Sequence, residues 1–283
     1  MNLVDIQSAL SQERLDGWLF YDFRQSNPIA YQILGLSQEA FYSRRWFYFV
    51  PTQGKPTALV SAVEAHVLRD LPGDHLVFST WQEMQTQLAS LLVRGTRIAM
   101  EYSPLNAIPY IARVDAGTVE LVRSYGVEVM SSANISQHFV AELSQEQMAG
   151  HREAGRRLMA AKDLLFAQLM VSLREGTPLD EYGVQQRFVD LIHAQGLLLT
   201  DPPLVAVNGN ASNPHYTPQA QGSTALQRGD LVLFDFWAHL PGSTAIFGDY
   251  TWMGFVGTAA EIPARQREVF ALVCAARDAG ISF

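Results

Sequence analysis

Apolar runs of four or five residues punctuate the first half of the chain. Residues 17–21, 46–50, 57–60, 75–78 and 97–101 read as strands, each a short apolar or aromatic run bounded by turn formers or charges. Residues 4–13, 62–71, 81–92 and 108–115 carry apolar positions at helical spacing between those runs. Such alternation predicts βα crossovers and a mixed sheet covered by helices. The pattern changes after Ser131-Ser132-Ala133-Asn134. Ser144-Gln145-Glu146-Gln147 fits a capping box that opens a long helix, along which Met148, Leu158, Met159, Leu164, Leu165, Leu169 and Met170 recur at helical spacing. Gly176-Thr177-Pro178 ends that helix and starts another, with Thr177 as its N-cap and Pro178 at its first position, running to about Gln195. Residues 205–207, 231–235 and 251–256 then read as strands, and a final helix spans about 264–280. The expectation is an α/β chain of two domains, 1–140 and 141–283, joined by a linker near 131–143.

Composition narrows the function. The 283 residues are 48% hydrophobic and carry a net charge of −8, with Lys and Arg nowhere clustered beyond pairs such as Arg44-Arg45. A nucleic-acid partner calls for a basic face, so none is expected. No Gly-x-Gly-x-x-Gly or P-loop sequence follows a strand, which leaves a nucleotide site without support. The single cysteine, Cys274, follows an apolar stretch and reads as a buried structural thiol in a reducing compartment. The first residues lack the pattern of a signal peptide, and no apolar run is long enough to span a bilayer. A soluble, cytoplasmic protein without a membrane partner is expected.

The candidate chemistry lies in the last quarter. Asp235 closes the apolar run Leu231-Val232-Leu233-Phe234, and Asp249 opens Asp249-Tyr250-Thr251-Trp252 after a turn-rich loop. A carboxylate at the end of a buried strand is costly unless it is paired, hydrogen-bonded or metal-bound. Two on neighbouring segments can converge on cations. Taken singly, each reads as a turn cap or a solvated loop carboxylate, and His215, in Asn208-Gly209-Asn210-Ala211-Ser212-Asn213-Pro214-His215, as a solvated loop histidine. Their order carries more weight: an Asn-Gly-Asn loop, Pro-His, an Arg-Gly-Asp turn, an apolar strand ending in Asp, then Asp-x-Thr.

In that order the segment from Asn208 to Gly257 resembles the metallopeptidase family of aminopeptidase P, prolidase and creatinase. Weaker likenesses, Arg45–Pro51 and Ile98–Pro104, extend it over nearly the whole chain. The resemblance implies a creatinase-like N-terminal mixed-sheet domain, then a pita-bread α/β catalytic domain present as its first half. It implies two divalent ions (Mn, Co, Zn or Fe) with Asp235 and Asp249 as ligands, Asp249 bridging. Thr251 would support Asp249, and His215 would hydrogen-bond substrate and assist proton transfer. The implied substrate is a peptide with proline at the second position, and the implied assembly a homodimer. Trp237 and Trp252 stand where the family commonly has a glycine and a basic residue, and the loop between the aspartates is longer than usual. No histidine follows Asp249, and Glu261 and Glu268 lie in or beside the final helix, so the family's remaining His/Glu/Glu ligands are missing from this sequence. The chain is therefore expected to be incomplete within the catalytic domain and to lack peptidase activity. Alternatives are an inert pita-bread module that binds peptides or proteins, and a creatinase-like hydrolase of a small amidine.

Overall fold

The structure is a computed structural model that describes residues 2–37, 42–242 and 245–283. It divides into two compact units, Met1–Glu142 and Leu143–Phe283. The first opens with helix α1 (Leu3–Gln12), strand β1 (Gly17–Asp22) and helix α2 (Pro28–Leu34). Strands β2 (Trp46–Pro51), β3 (Thr57–Ser61) and β4 (Asp74–Phe78) follow, then helix α3 (Trp81–Leu91) and strand β5 (Arg97–Met100). Helix α4 (Ala116–Ser124), strand β6 (Glu128–Ser131) and helix α5 (Ala133–Val140) complete the unit.

Its six strands form one mixed sheet in the order β4-β3-β2-β1-β5-β6. The antiparallel pairs are β1 with β2 and β2 with β3; the other neighbours run parallel. All six residues of β1 are buried, as expected of a central strand covered on both faces. Trp18, Phe20, Trp46 and Tyr48 pack to one side, while Leu19, Tyr21, Phe47 and Leu59 pack to the other.

All five strands expected in this unit form, each within a residue or two of the expected bounds. Two expected helices do not. Residues 62–71 make one 3₁₀ turn, Ala62–Glu64, and Leu68 takes a left-handed φ of 61° that stops any helix. Residues 108–115 likewise hold a single turn, Pro109–Ile111, because the amides of Arg113 and Val114 both bond to the Glu101 carbonyl beyond β5. The stretch read as a linker is mostly α5, and Ile135 on it is buried in the core.

In the second unit the long helix α6 (Gln145–Arg174) starts at the expected capping box, with Ser144 and Gln147 exchanging hydrogen bonds. Helix α7 (Glu181–Ala194) starts later than the sequence suggests. Asp180, not Thr177, is its N-cap, accepting from the Gly183 amide at 2.7 Å, while the Thr177 amide is used on Ser172 at the end of α6. Strands β7 (Leu204–Val207), β8 (Leu231–Ala238) and β9 (Gly248–Phe255) form an antiparallel sheet in that order. One face, through Val232, Phe234, Phe236 and Ala238, packs with Leu158, Leu165, Val184 and Phe188 of the two helices. Full burial of a side chain such as Phe236 contributes roughly 1.5–3 kcal/mol. The last helix, α8 (Ala264–Ser282), buries no residue, and Cys274 on it is half-buried rather than enclosed. Among the described residues no helix is long and apolar enough to cross a membrane.

Candidate functional site

Burial alternates strictly along β8: the even positions 232–238 are closed off, and Leu231, Leu233, Asp235 and Trp237 lie on the other, partly open face. Asp235 is therefore a mid-strand residue and not the strand's end, as its place after four apolar residues suggested. Strand β9 pairs in register, Asp235 opposite Thr251 and Trp237 opposite Asp249. Asp235 and Asp249 are thus diagonal neighbours on one face, a relation in which Cα atoms on adjacent strands stand about 7–8 Å apart. Asp249 is the second residue of β9.

The electrostatics agree with that placement. The Asp249 carboxyl is pushed above the usual aspartate range by partial burial and, second, by the charge of Asp235. Asp235 has the stronger support, because the Thr251 hydroxyl donates to its Oδ1 at 3.0 Å. Thr251 was expected to serve Asp249; cross-strand register gives it to Asp235 instead, its direct partner. Among the described residues no group of three or more His, Cys, Asp or Glu side chains is placed to hold a metal ion. The two carboxylates form an acidic pair on one face of the β8–β9 ribbon.

The tryptophans that depart from the family pattern flank this pair on opposite faces. Trp237 shares the open face with Asp235, and its indole N–H donates to Thr200 Oγ1 at 3.3 Å. Trp252 points to the helix side, where Lys162 Nζ lies 4.0 Å from its ring centroid and 5.6 Å from that of Phe166. The nearly buried Lys162 also pairs with Asp163 at 2.7 Å. A cation from α6 therefore packs on the residue that replaces a basic one, a cation–π contact across helix and strand.

His215 lies exposed in the loop after β7, with its amide bonded to Asn213 Oδ1 at 3.0 Å. Among the described residues, no hydrogen bond joins its ring to either aspartate. What fixes the loop is Glu181, a residue that the sequence reading did not single out. Glu181 is fully buried at the start of α7. Its Oε1 accepts from the Val207 amide at 2.6 Å and Asn210 Nδ2 at 2.9 Å. Its Oε2 accepts from the Thr224 amide at 3.1 Å and from the Tyr216 hydroxyl. Burial and this carboxylate together push the Tyr216 phenol up to about 12. The neighbour of His215 is thus tied to a helix terminus. At the other end of the loop, Asn208 donates to Asp230 and accepts from the Leu231 amide, locking the loop's start to that of β8.

Residues 149–283 match the model of metallopeptidase family M24. Among curated proteins none matches the sequence. Similar solved structures include a prolidase from Thermococcus sibiricus, 17% identical, with a TM-score of 0.57 over 98% of this chain and 70% of that one. An Xaa-Pro dipeptidase from Bacillus anthracis is 12% identical, with a TM-score of 0.56 over 96% of this chain and 68% of its own. An X-prolyl aminopeptidase from Caenorhabditis elegans, described as a cytosolic enzyme with a di-nuclear active site, is 16% identical, with a TM-score of 0.54 over 90% of this chain and 41% of its own. At such identities the structural likeness speaks for the fold, and the family match speaks for the lineage. The family match falls on the second unit, and the similar solved structures share the fold of both units.

Proposed function

We propose that the second unit is the metal-binding part of a peptidase acting on Xaa-Pro bonds, with the first unit as its creatinase-like N-terminal domain. The observation that carries this reading is the diagonal placement of Asp235 and Asp249 on one open face of the β8–β9 pair, close enough for the Asp235 charge to help raise the Asp249 carboxyl. Like charges left side by side on a sheet are destabilising unless a cation joins them. In this reading Asp235 and Asp249 would both hold divalent ions. Bound ions would supply Lewis acidity and lower the pKa of water at the site.

The chain's own residues supply the rest. The Thr251 hydroxyl orients the Asp235 carboxylate, as outer partners of metal ligands commonly do. His215 hydrogen-bonds the peptide and passes a proton to the departing amine. Trp237, opposite Asp249, shapes the space above the carboxylates and so bears on which peptides fit. The residues present fit a metal centre in part, since carboxylates suit hard divalent ions but two of them are fewer than a dinuclear site needs. The 283-residue chain by itself is therefore proposed to bind metal weakly and to turn over little. That shortage also supports an inert, peptide-binding version of the module. An assay on Xaa-Pro peptides with added Mn, Co or Zn tests the proposal: little or no turnover is expected of this chain, and robust turnover would sink the ligand-count argument.

A further inference from the structure

Helix α8 buries none of its residues, although its sequence carries an apolar stripe. Val269, Leu272, Val273, Ala276, Gly280 and Phe283 recur at i, i+3, i+4, i+7, i+11 and i+14, the spacing of one helix face. On that face Val269 is 41% exposed, Leu272 60% and Val273 62%, and Phe283 stands fully in solvent. Phe270 and Ile281 continue the apolar surface along one margin, at 59% and 78%. These six side chains together expose the equivalent of about four whole residues, roughly 600–800 Å² at about 150–200 Å² each. The largest apolar patch of a typical monomer is about 300–600 Å², and a standard interface buries about 800 Å² per partner. The patch is of dimer size. The flanking charges do not oppose pairing, because Arg265 engages Glu268 at 2.8 Å and Arg277 engages Asp278 at 2.7 Å within the same helix.

We infer that α8 is a self-complementary interface, on which a second copy of this chain docks its own α8 antiparallel about a twofold axis at Ala276. Large and small positions then interlock. Leu272 lies opposite Gly280 of the second copy, Val269 packs against Phe283, and Ala276 meets itself on the axis, as an isologous contact requires. The small side chains at Ala276 and Gly280 let the two helices approach closely. Centring the pair on Val273 instead would set Val269 against Arg277 and Phe283 against Pro263, which spoils the apolar seam. Antiparallel packing also opposes the two helix dipoles. Neither the two aspartates nor the peptidase reading enters this interface.

Sedimentation equilibrium of the full 283-residue chain over a range of concentrations tests the pairing. Wild type should form a dimer. Leu272→Glu, at an exposed position and checked for folding by circular dichroism, should weaken it by at least about 100-fold, since twofold symmetry buries the new carboxylate twice. Leu164→Glu, at an exposed apolar position on α6, should leave the dimer as in wild type. Oxidation tests the register. Cys274→Ser with Ala276→Cys should give a disulfide-linked dimer, because the axial Cβ atoms come within bonding reach. Cys274→Ser with Ala271→Cys, on the opposite side of the helix, should not. A monomeric wild type would leave the stripe to an occupant of another sequence and overturn the inference. A dimer untouched by Leu272→Glu, or weakened equally by Leu164→Glu, would overturn it too. A dimer sensitive to Leu272→Glu that fails to cross-link at position 276 would overturn the antiparallel axis.

Discussion

Replacing Glu181 should loosen the loop that carries His215 without unfolding the unit that holds it. The carboxylate accepts four hydrogen bonds, two on each oxygen. Bonds to a charged acceptor contribute about 1.5–3 kcal/mol each, and leaving a buried donor unsatisfied costs about 1–3 kcal/mol. Only the Val207 donor is wholly buried; those of Asn210, Tyr216 and Thr224 are partly exposed and regain water when the acceptor is gone. Glu181→Ala should therefore cost about 2–5 kcal/mol, well short of a simple sum over four bonds. Glu181→Gln keeps one acceptor oxygen but turns an amide NH₂ toward two donors, so it should recover only part of the loss. Urea denaturation of the full chain gives the stability change. Titration of tyrosine absorbance gives an independent readout of the loop. The raised phenol of Tyr216 adds stability that is complete below the ordinary tyrosine value near 10 and disappears as pH rises through about 12. Removal of the Glu181 charge should bring that ionisation down. A Glu181→Ala chain with unchanged stability and an unchanged tyrosine titration would refute the claim that this carboxylate organises the loop.

Two further outcomes follow from the packing. Thr251→Val removes the 3.0 Å donor to Asp235 at an exposed position, so stability should change by less than about 1 kcal/mol while divalent-metal affinity, read by calorimetry, falls about 10-fold. A fragment ending at Glu142 encloses the whole six-stranded sheet with its two core clusters, and should fold alone with a cooperative transition by circular dichroism.

Strands were the most legible part of the sequence, because runs such as Trp46-Phe47-Tyr48-Phe49-Val50 have few alternatives to a buried sheet. Helices were less so. Residues 62–71 and 108–115 carry acceptable helical periodicity, but a left-handed Leu68 and a backbone drawn to the Glu101 carbonyl override it, and both effects are tertiary. Glu128–Ser131 was missed as a strand because only Val129 is buried in four residues. At the candidate site the two aspartates were visible because one closes an apolar run, the other opens the next segment, and the loop, Pro-His and Arg-Gly-Asp turn precede them in order. Their common face was not, since it depends on the β8–β9 register. Glu181 gave no signal, because its four donors come from 26 to 43 residues away along the chain.

The claim on which the functional reading stands is that Asp235 and Asp249 act together on a metal ion. Equilibrium dialysis of manganese against wild type, Asp235→Ala, Asp249→Ala and His215→Ala, each checked for folding by circular dichroism, tests it directly. The account predicts measurable uptake by wild type and by His215→Ala, with loss of uptake in each aspartate variant. Uptake by Asp235→Ala or Asp249→Ala equal to that of wild type would mean that these carboxylates are structural, and would contradict the account.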